Sequence, residues 1–355
     1  MQLRLLIVAV AAGSCGAFHS SAAARALSGS AAVARAPSRT ALDAVSRRHV
    51  VGGAAAASIG LGLGLGPVVG PAAAVAAGAA LKSASVKLSD GTPFQLASFG
   101  LQVYDDERAR QYTLQALEAG YRNFFASVLA QNQRGFARAI KESGVPRSEL
   151  FICGSVLSNR VSGFDGAKAL SAKGCRENME AFATGGIDYI DMIMLDYPGP
   201  DAASIKGQWA ALTELADTGA CKTLAVSNFS PDQLDLLLTP ETKYKPLVNQ
   251  LPLGVGFQTA KNKNLLAENK KRGVLVQAWS PLRTLGPNAK ALCADIGAKQ
   301  SPPKSAQQVA LKWIAAVGAS YTTQSKRESR IREGIDIFDF SLSADDMAKL
   351  SAVEG

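Results

Sequence analysis

The sequence predicts an α/β protein: a (β/α)8 TIM barrel with an N-terminal β-hairpin, preceded by a cleaved targeting leader. Three observations lead there. Short apolar runs alternate with helix-period segments along the chain, as a barrel of about 250 residues requires. An alternating apolar/polar stretch broken by Asp90-Gly91 stands before the first of them. The stretch that ends the first run, Gly100-Leu101-Gln102-Val103-Tyr104, is not the glycine-rich phosphate loop that a doubly wound sheet needs.

Taken in order, residues 86–96 alternate around the Asp-Gly turn and form the hairpin. Eight strands are then predicted at Ser98–Val103, Asn123–Ala126, Phe151–Val156, Tyr189–Asp196, Thr223–Asn228, Leu247–Leu251, Val274–Ser280 and Ser320–Gln324. Each is short and most are largely apolar, the pattern of a parallel strand buried on both faces. Helical periodicity lies between them at Glu107–Ala119, Gly135–Ser143, Cys175–Thr184, Gln208–Thr218, Asn262–Arg272 and Ser305–Val317. In such a barrel, chemistry belongs at the C-terminal strand ends. The positions to inspect are Val103, Phe125 to Ala130, Ser155, Asp196, Ser227, Asn228, Gln250, Trp279, Ser280, Gln324 and Ser325.

The first 76 residues hold six Arg, one Asp and no Lys or Glu, so they carry +5 of the chain's +9 and leave +4 on residues 77–355. Much of the alkaline charge therefore belongs to an address, and a nucleic-acid partner is not expected. The leader divides into a signal peptide (1–17), a transit peptide (18–45) and a twin-arginine lumenal signal (46–76) that opens at Ser46-Arg47-Arg48 and exits at Ala74-Val75-Ala76. The series is similar to the targeting of thylakoid-lumen proteins in algae with complex plastids, which implies a plastid lumenal protein with no stable membrane insertion after processing. The alternative is that residues 50–77, long enough to span a bilayer, stay attached as an anchor, making a membrane-tethered structural protein. Glycines, prolines and the Ala-x-Ala exit favour cleavage.

Composition excludes several chemistries. Both histidines, His19 and His49, lie in the leader, so a His base, a Ser-His-Asp triad and imidazole metal ligation are unavailable to residues 77–355. Cys153, Cys175, Cys221 and Cys293 are far apart in sequence and read as core thiols, with no metal site.

Six strings, in order from about residue 86 onward, resemble the aldo-keto reductase superfamily of NADP-dependent oxidoreductases. They are Ala119-Gly120-Tyr121-Arg122, Asp188-Tyr189-Ile190-Asp191, Val226-Ser227-Asn228-Phe229-Ser230-Pro231, Val248-Asn249-Gln250, Ser280-Pro281-Leu282 and Asp336-Ile337-Phe338-Asp339-Phe340. The resemblance implies the same barrel with a bottom hairpin. It also implies carbonyl reduction with NADPH through an Asp, a Tyr, a Lys and a His. Aligned by the flanking strings, those four fall on Phe125, Ala130, Ser155 and Asp196. No Lys lies between Arg147 and Arg160, and no Tyr, Asp or Glu lies between Arg122 and Arg138, so a shifted alignment does not restore them. A divergent member lacking the tetrad is expected, with no catalytic residue assigned.

The resemblance places the nicotinamide carboxamide near Ser227, Asn228 and Gln250, and the nicotinamide ring against Trp279. It places the pyrophosphate near Ser280 and Leu282, and the adenosine end near Ser325, Arg330 and Glu333. Gln324 stands where the family has the Lys that meets the 2'-phosphate, and Gly334 where it has Asn, so NADP and NAD both stay open; Lys326 and Arg327 are candidate replacements. The sequence stops at Gly355, directly after the last helix, so the substrate-closing C-terminal loop of many relatives is not expected. The function expected is a nucleotide-binding, scaffold or sensor protein with an unknown protein partner and an unknown small-molecule substrate. The alternative is an NAD(P)H-dependent oxidoreductase whose proton comes from Tyr104, Cys153, Ser155 or Asp196.

Overall fold

The structure, a computed structural model, describes residues 83–102, 104–126, 131–257 and 264–354. The leader segments 1–17, 18–45 and 46–76, the candidate span 50–77, and Val103, Ser127, Ala130, Asn262 and Gly355 lie outside the described residues. Among the described residues no helix is long and apolar enough to cross a membrane.

The chain opens on the antiparallel hairpin β1 (Ser85–Lys87) and β2 (Pro93–Gln95), paired Val86 to Phe94. Its turn is held by Asp90, which accepts from the Thr92 N–H at 2.8 Å and the Thr92 hydroxyl at 2.9 Å. Eight parallel strands follow: β3 (Ala97–Gly100), β4 (Asn123–Ala126), β5 (Phe151–Leu157), β6 (Ile190–Asp196), β7 (Cys221–Ser227), β8 (Pro246–Pro252), β9 (Leu275–Trp279) and β10 (Ser320–Thr323). Each pairs with the next, and β10 returns to β3, so the barrel is closed. Closure removes every sheet edge. The predicted strands are all present, with bounds that move by a few residues.

Helices surround the strands: α1 (Asp106–Ala119), α2 (Gln133–Ser143), α3 (Phe164–Ala183), α4 (Ala202–Asp217), α5 (Pro231–Asp235), α6 (Leu265–Lys271), α7 (Pro287–Ala298), α8 (Ala306–Ala316), α9 (Glu328–Ile335) and α10 (Ala344–Ala352). Their starts are chemically marked. Asp105 caps α1, and Asp201, Ser230, Ser305 and Ser343 form capping boxes with the third residue of α4, α5, α8 and α10. Sequence periodicity starts α3 at Cys175, eleven residues late, because its first turns carry Gly166, Ser171 and Gly174. Small residues serve close packing there. A Cβ on Gly174 would meet Val156, and one on Gly207 of α4 would collide with the Phe164 backbone.

Two apolar regions result. Outside the strands, Phe99, Phe124, Ile152, Ile193, Leu195 and Val226 pack against the helices. Inside, Leu88 and Phe94 of the hairpin plug the N-terminal end against Phe125, Cys153, Met192, Met194, Ala225 and Val248. Phe94 also meets the Phe151 ring edge-on at 5.0 Å. Phe94→Ala is therefore expected to cost about 3–5 kcal/mol in urea unfolding, whereas Phe164→Ala, at a residue 42% exposed, should cost under about 0.5 kcal/mol.

Candidate nucleotide groove and barrel mouth

The strand ends depart from regular geometry where the site forms. Tyr197, Asn228 and Ser280 directly follow β6, β7 and β9, and all three have left-handed backbones, with φ of 66°, 63° and 49°. Asn tolerates this region; Tyr and Ser adopt it at a cost of roughly 1–3 kcal/mol, which surrounding contacts must offset. These turns explain why the predicted strands ran one residue too far at Asn228 and Ser280.

The turn at Asn228 assembles a hydrogen-bonded set. Its N–H donates to the Gln250 carbonyl at 3.0 Å, its amide nitrogen donates to Ser227 Oγ at 2.8 Å, and its Oδ1 accepts from Trp279 Nε1 at 3.1 Å. Gln250, inside the barrel, donates through Nε2 to Gln277 Oε1 at 2.8 Å across the β8–β9 ladder. Ser227, Asn228, Gln250 and Trp279 thus form one fixed cluster over three adjacent strands.

Beside that cluster runs a groove made of two adjoining cavities. The inner one, about 290 Å³, is lined by Gly100, Gln102, Ser280 to Arg283 and Thr322 to Gln324. The outer one, about 350 Å³, shares Leu282, Thr323 and Gln324 and continues past Ser325, Arg327, Arg330 and Glu333, with Lys290 on its wall. Ser280, Leu282, Ser325, Arg330 and Glu333 therefore lie along one channel. Arg330 donates to Glu333 at 2.7 Å, and Glu333 also accepts from the Ser305 hydroxyl at 3.1 Å, so the guanidinium is held in place. Of the two candidate phosphate contacts, Arg327 lines the cavity and Lys326 does not.

Two residues of the inner wall pack closely against each other. Thr322 Oγ1 is buried and has no hydrogen-bond partner, an arrangement that is costly unless something else satisfies it. Gly100 faces the same atom; a Cβ there would come within 2.8 Å of Thr322 Oγ1 and narrow the space. Sequence reading missed Thr322, Gly100, Arg283 and Lys290. Arg283, adjacent to the Ser280-Pro281-Leu282 string and 5.7 Å from the Trp279 ring centroid, was the one with a signal beside it.

The barrel-mouth acids differ sharply. Burial lifts the Tyr104 phenol well above its ordinary value, with Tyr112 adding to the rise and the Ser325 backbone opposing it. Burial likewise pushes the Cys153 thiol well up. Ser155 is buried on β5, and its carbonyl accepts from Asn178 at 2.8 Å. Asp196 is different: burial pushes its carboxyl up to about 6, while the hydrogen bond from Ser227, its neighbour across the β6–β7 ladder, acts in the lowering direction. Phe125, on the adjacent part of the wall, sits within the apolar interior.

The chain matches the aldo/keto reductase family over residues 95–354. It is 34% identical over 272 residues to the glyoxal reductase of Bacillus subtilis (strain 168), covering 76% of this chain and 92% of that protein. It is 30% identical to an aldo-keto reductase of Mycolicibacterium vanbaalenii, covering 76% and 92%. Among solved structures, an aldo/keto reductase from Brucella melitensis superposes with a TM-score of 0.67 at 27% identity, over 76% of this chain and 98% of that one.

Because Asp196 titrates near 6 when folded and near 3.8 when unfolded, the folded state holds the extra proton between those values. Stability should therefore fall as pH rises from about 4 to about 6, by roughly 3 kcal/mol in total. Urea unfolding across that window should show the decline in the wild type and lose that part of it in Asp196→Asn.

Proposed function

Since the chain belongs to the aldo/keto reductase family, we propose that its barrel binds a nicotinamide dinucleotide along the groove from Trp279 to Arg330 and lacks the family's means of delivering a proton. The observation that carries the binding half is the groove itself, two adjoining cavities that share Leu282, Thr323 and Gln324 and run from Ser280 to Arg330. The residues present fit the group. Ser227, Asn228 and Gln250 offer amides and a hydroxyl for the carboxamide, Trp279 an aromatic face, Ser280 and Leu282 a wall for the pyrophosphate, and Ser325, Arg330 and Glu333 a seat for adenosine. Bound there, a reduced nicotinamide would supply hydride. NADP is the first candidate, and NAD remains a competitor.

The second half rests on the residues at the tetrad positions. Phe125 and Ser155 replace a charged pair, an exchange that leaves no buried charge stranded; removing one member alone would cost about 3–5 kcal/mol. Ala130 stands at the phenol position. A positioned acid contributes roughly 10² to 10⁴ in rate, so its loss alone moves a reductase to a binding, scaffold or sensor role. One observation favours a second reading, an oxidoreductase with rebuilt chemistry: Asp196, at the mouth and beside Ser227, keeps a proton into the mildly acidic range.

Two measurements on residues 77–355 test these readings together. NADPH should bind with a micromolar or weaker constant and quench protein fluorescence through Trp279, with loss of binding in the Gln250→Ala, Arg330→Ala double variant; a micromolar constant is about −8 kcal/mol. No heat and no thermal shift at millimolar NADPH overturns the binding half. The same protein should not reduce glyoxal, the aldehyde named in its B. subtilis relative, at neutral pH. Joint replacement by Phe125→Asp, Ala130→Tyr, Ser155→Lys and Asp196→His should recover some turnover, whereas Ala130→Tyr alone should not, because an untuned phenol has a pKa of about 10. Turnover that rises below pH 6 and vanishes in Asp196→Asn would instead establish the second reading.

We also propose a plastid, thylakoid-lumen location for a mature protein starting near Ala77, supported by the order of leader segments. N-terminal sequencing of the plastid form should find that start. A start upstream of Arg47, in protein retained by washed thylakoid membranes, would favour the tethered alternative.

A further inference from the structure

Two carboxylates are buried among the described residues, Asp191 and Asp196, and their surroundings are opposite. Asp191 is paired with Arg147 at 2.6 Å and Lys222 at 3.1 Å, whereas no Lys or Arg among the described residues lies within ion-pair distance of Asp196. Asp196 ends β6 and alternates with Met192 and Met194, which face the barrel interior, so its carboxyl points toward the axis. The next residue, Tyr197, is 39% exposed, which sets that carboxyl one residue below the rim. In register, Asp196 lies opposite Ser227 and Ser227 opposite Gln250, one row across β6, β7 and β8. Hydrogen bonds run along this row in one direction: Trp279 donates to Asn228, Asn228 to Ser227, and Ser227 to the Asp196 carboxyl. The other titratable side chains against it, Cys153 of β5 and Tyr197, are both shifted upward by burial and uncharged at neutral pH.

A buried carboxylate without a cation is unfavourable, and a cationic ligand offsets that cost. A metal ion does not fit, because the described residues hold no group of three Cys, Asp or Glu that could ligate one. The product of carbonyl reduction fits no better, since an alkoxide beside Asp196 would set two negative charges together away from water. A protonated imine meets both demands. Its nitrogen is basic enough to carry a proton in water, as a carbonyl oxygen is not, and its carbon accepts hydride with no proton delivered to the heteroatom. We infer that the barrel mouth takes C=N substrates, with the iminium cation paired to the Asp196 carboxylate beside the Ser227, Asn228 and Gln250 cluster. The inference rests on the nucleotide-binding reading above. In the step, hydride from a reduced nicotinamide forms the new C–H bond and the C=N π pair becomes the nitrogen lone pair, leaving a neutral amine and an oxidised nicotinamide. Asp196 holds the cation and favours its protonated form, and gives up no proton. Because burial pushes the Asp196 carboxyl up to about 6, the pairing is present above that pH and is lost below it.

Calorimetry on residues 77–355 without nucleotide tests the pairing, and amine formation with NADPH tests the substrate class. The probes are the cyclic imine dihydroisoquinoline, its N-methyl iminium salt, whose charge is permanent, and α-tetralone, a neutral ketone of similar size. At neutral pH the wild type should bind the N-methyl cation about tenfold or more tightly than α-tetralone, the scale of one interaction with a charged group. That preference should fade as pH falls through about 6 and be absent in Asp196→Asn. With NADPH, both C=N compounds should yield their tetrahydro amines and α-tetralone no alcohol. For the permanent cation, Asp196→Asn should raise KM by about tenfold or more with little change in kcat, the mark of lost binding. A wild type that binds the cation no better than the ketone, or with a preference that pH does not alter, overturns the pairing even where the variant fails to fold. NADPH binding with no amine formed, or with alcohol formed from α-tetralone as readily, overturns the substrate class and leaves nucleotide binding intact. No NADPH binding by the folded wild type overturns both.

Discussion

A closed eight-stranded barrel must fill its own interior, and a polar atom placed there that finds no partner within the ring is costly. In this protein the filling is graded. Toward the hairpin it is apolar, with Leu88, Phe94, Phe125, Cys153, Met192 and Met194 in contact. Toward the mouth it turns polar, and each polar side chain meets the demand differently. Gln250 and Gln277 lie opposite each other in register and bond to one another. Asp196 has the Ser227 hydroxyl beside it, which offsets only part of the loss of water, so its carboxyl retains a proton at higher pH than an exposed one. The acidity of Asp196 is a consequence of barrel closure.

The same closure shapes the groove. Because strands end inside a crowded ring, the chain leaves β6, β7 and β9 through left-handed residues that aim backbone and side chains back across the mouth. Asn228 shows what this accomplishes: one turned residue reaches Gln250, Ser227 and Trp279 together. Its three neighbours are therefore positioned by a single backbone choice, and the cluster is rigid without any ligand. The outer half of the groove has a different basis. Its walls come from α7, α8, α9 and the end of β10, and its cations sit on helices and loops.

The legibility of these features in sequence follows from their physics. Parallel strands were readable because burial on both faces leaves short apolar runs, and the hairpin because Asp90-Gly91 interrupts a clean alternation. The start of α3 was not, since Gly166 and Gly174 look like loop residues although the helix uses small residues to approach β5. The nine candidate residues, five along the groove and four in the cluster beside it, came from resemblance and not from periodicity; strand-end Ser, Asn and Gln are common enough to have no meaning alone. Thr322 was invisible because an orphaned hydroxyl is a property of three-dimensional packing. The altered acidity of Asp196 was hidden for the same reason, and Lys290 read as one exposed Lys among many.

Charge placement then bears on whether the groove is used. Residues 1–76 account for +5 of the net +9, so residues 77–355 carry +4, and some of the helix cations are locally paired, Arg110 with Glu142 and Lys349 with Asp345 among them. An unneutralised cation on a convex, solvated surface costs little, because water screens it. Placing Lys290 and Arg327 around one concavity is less favourable, since low-dielectric walls focus their fields on the same volume. An anion bound between them reverses the sign of that contribution and gains charge-assisted hydrogen bonds as well. Phe125 and Ser155 on the barrel wall are uncharged, while the groove carries Lys290, Arg327 and Arg330 on its walls.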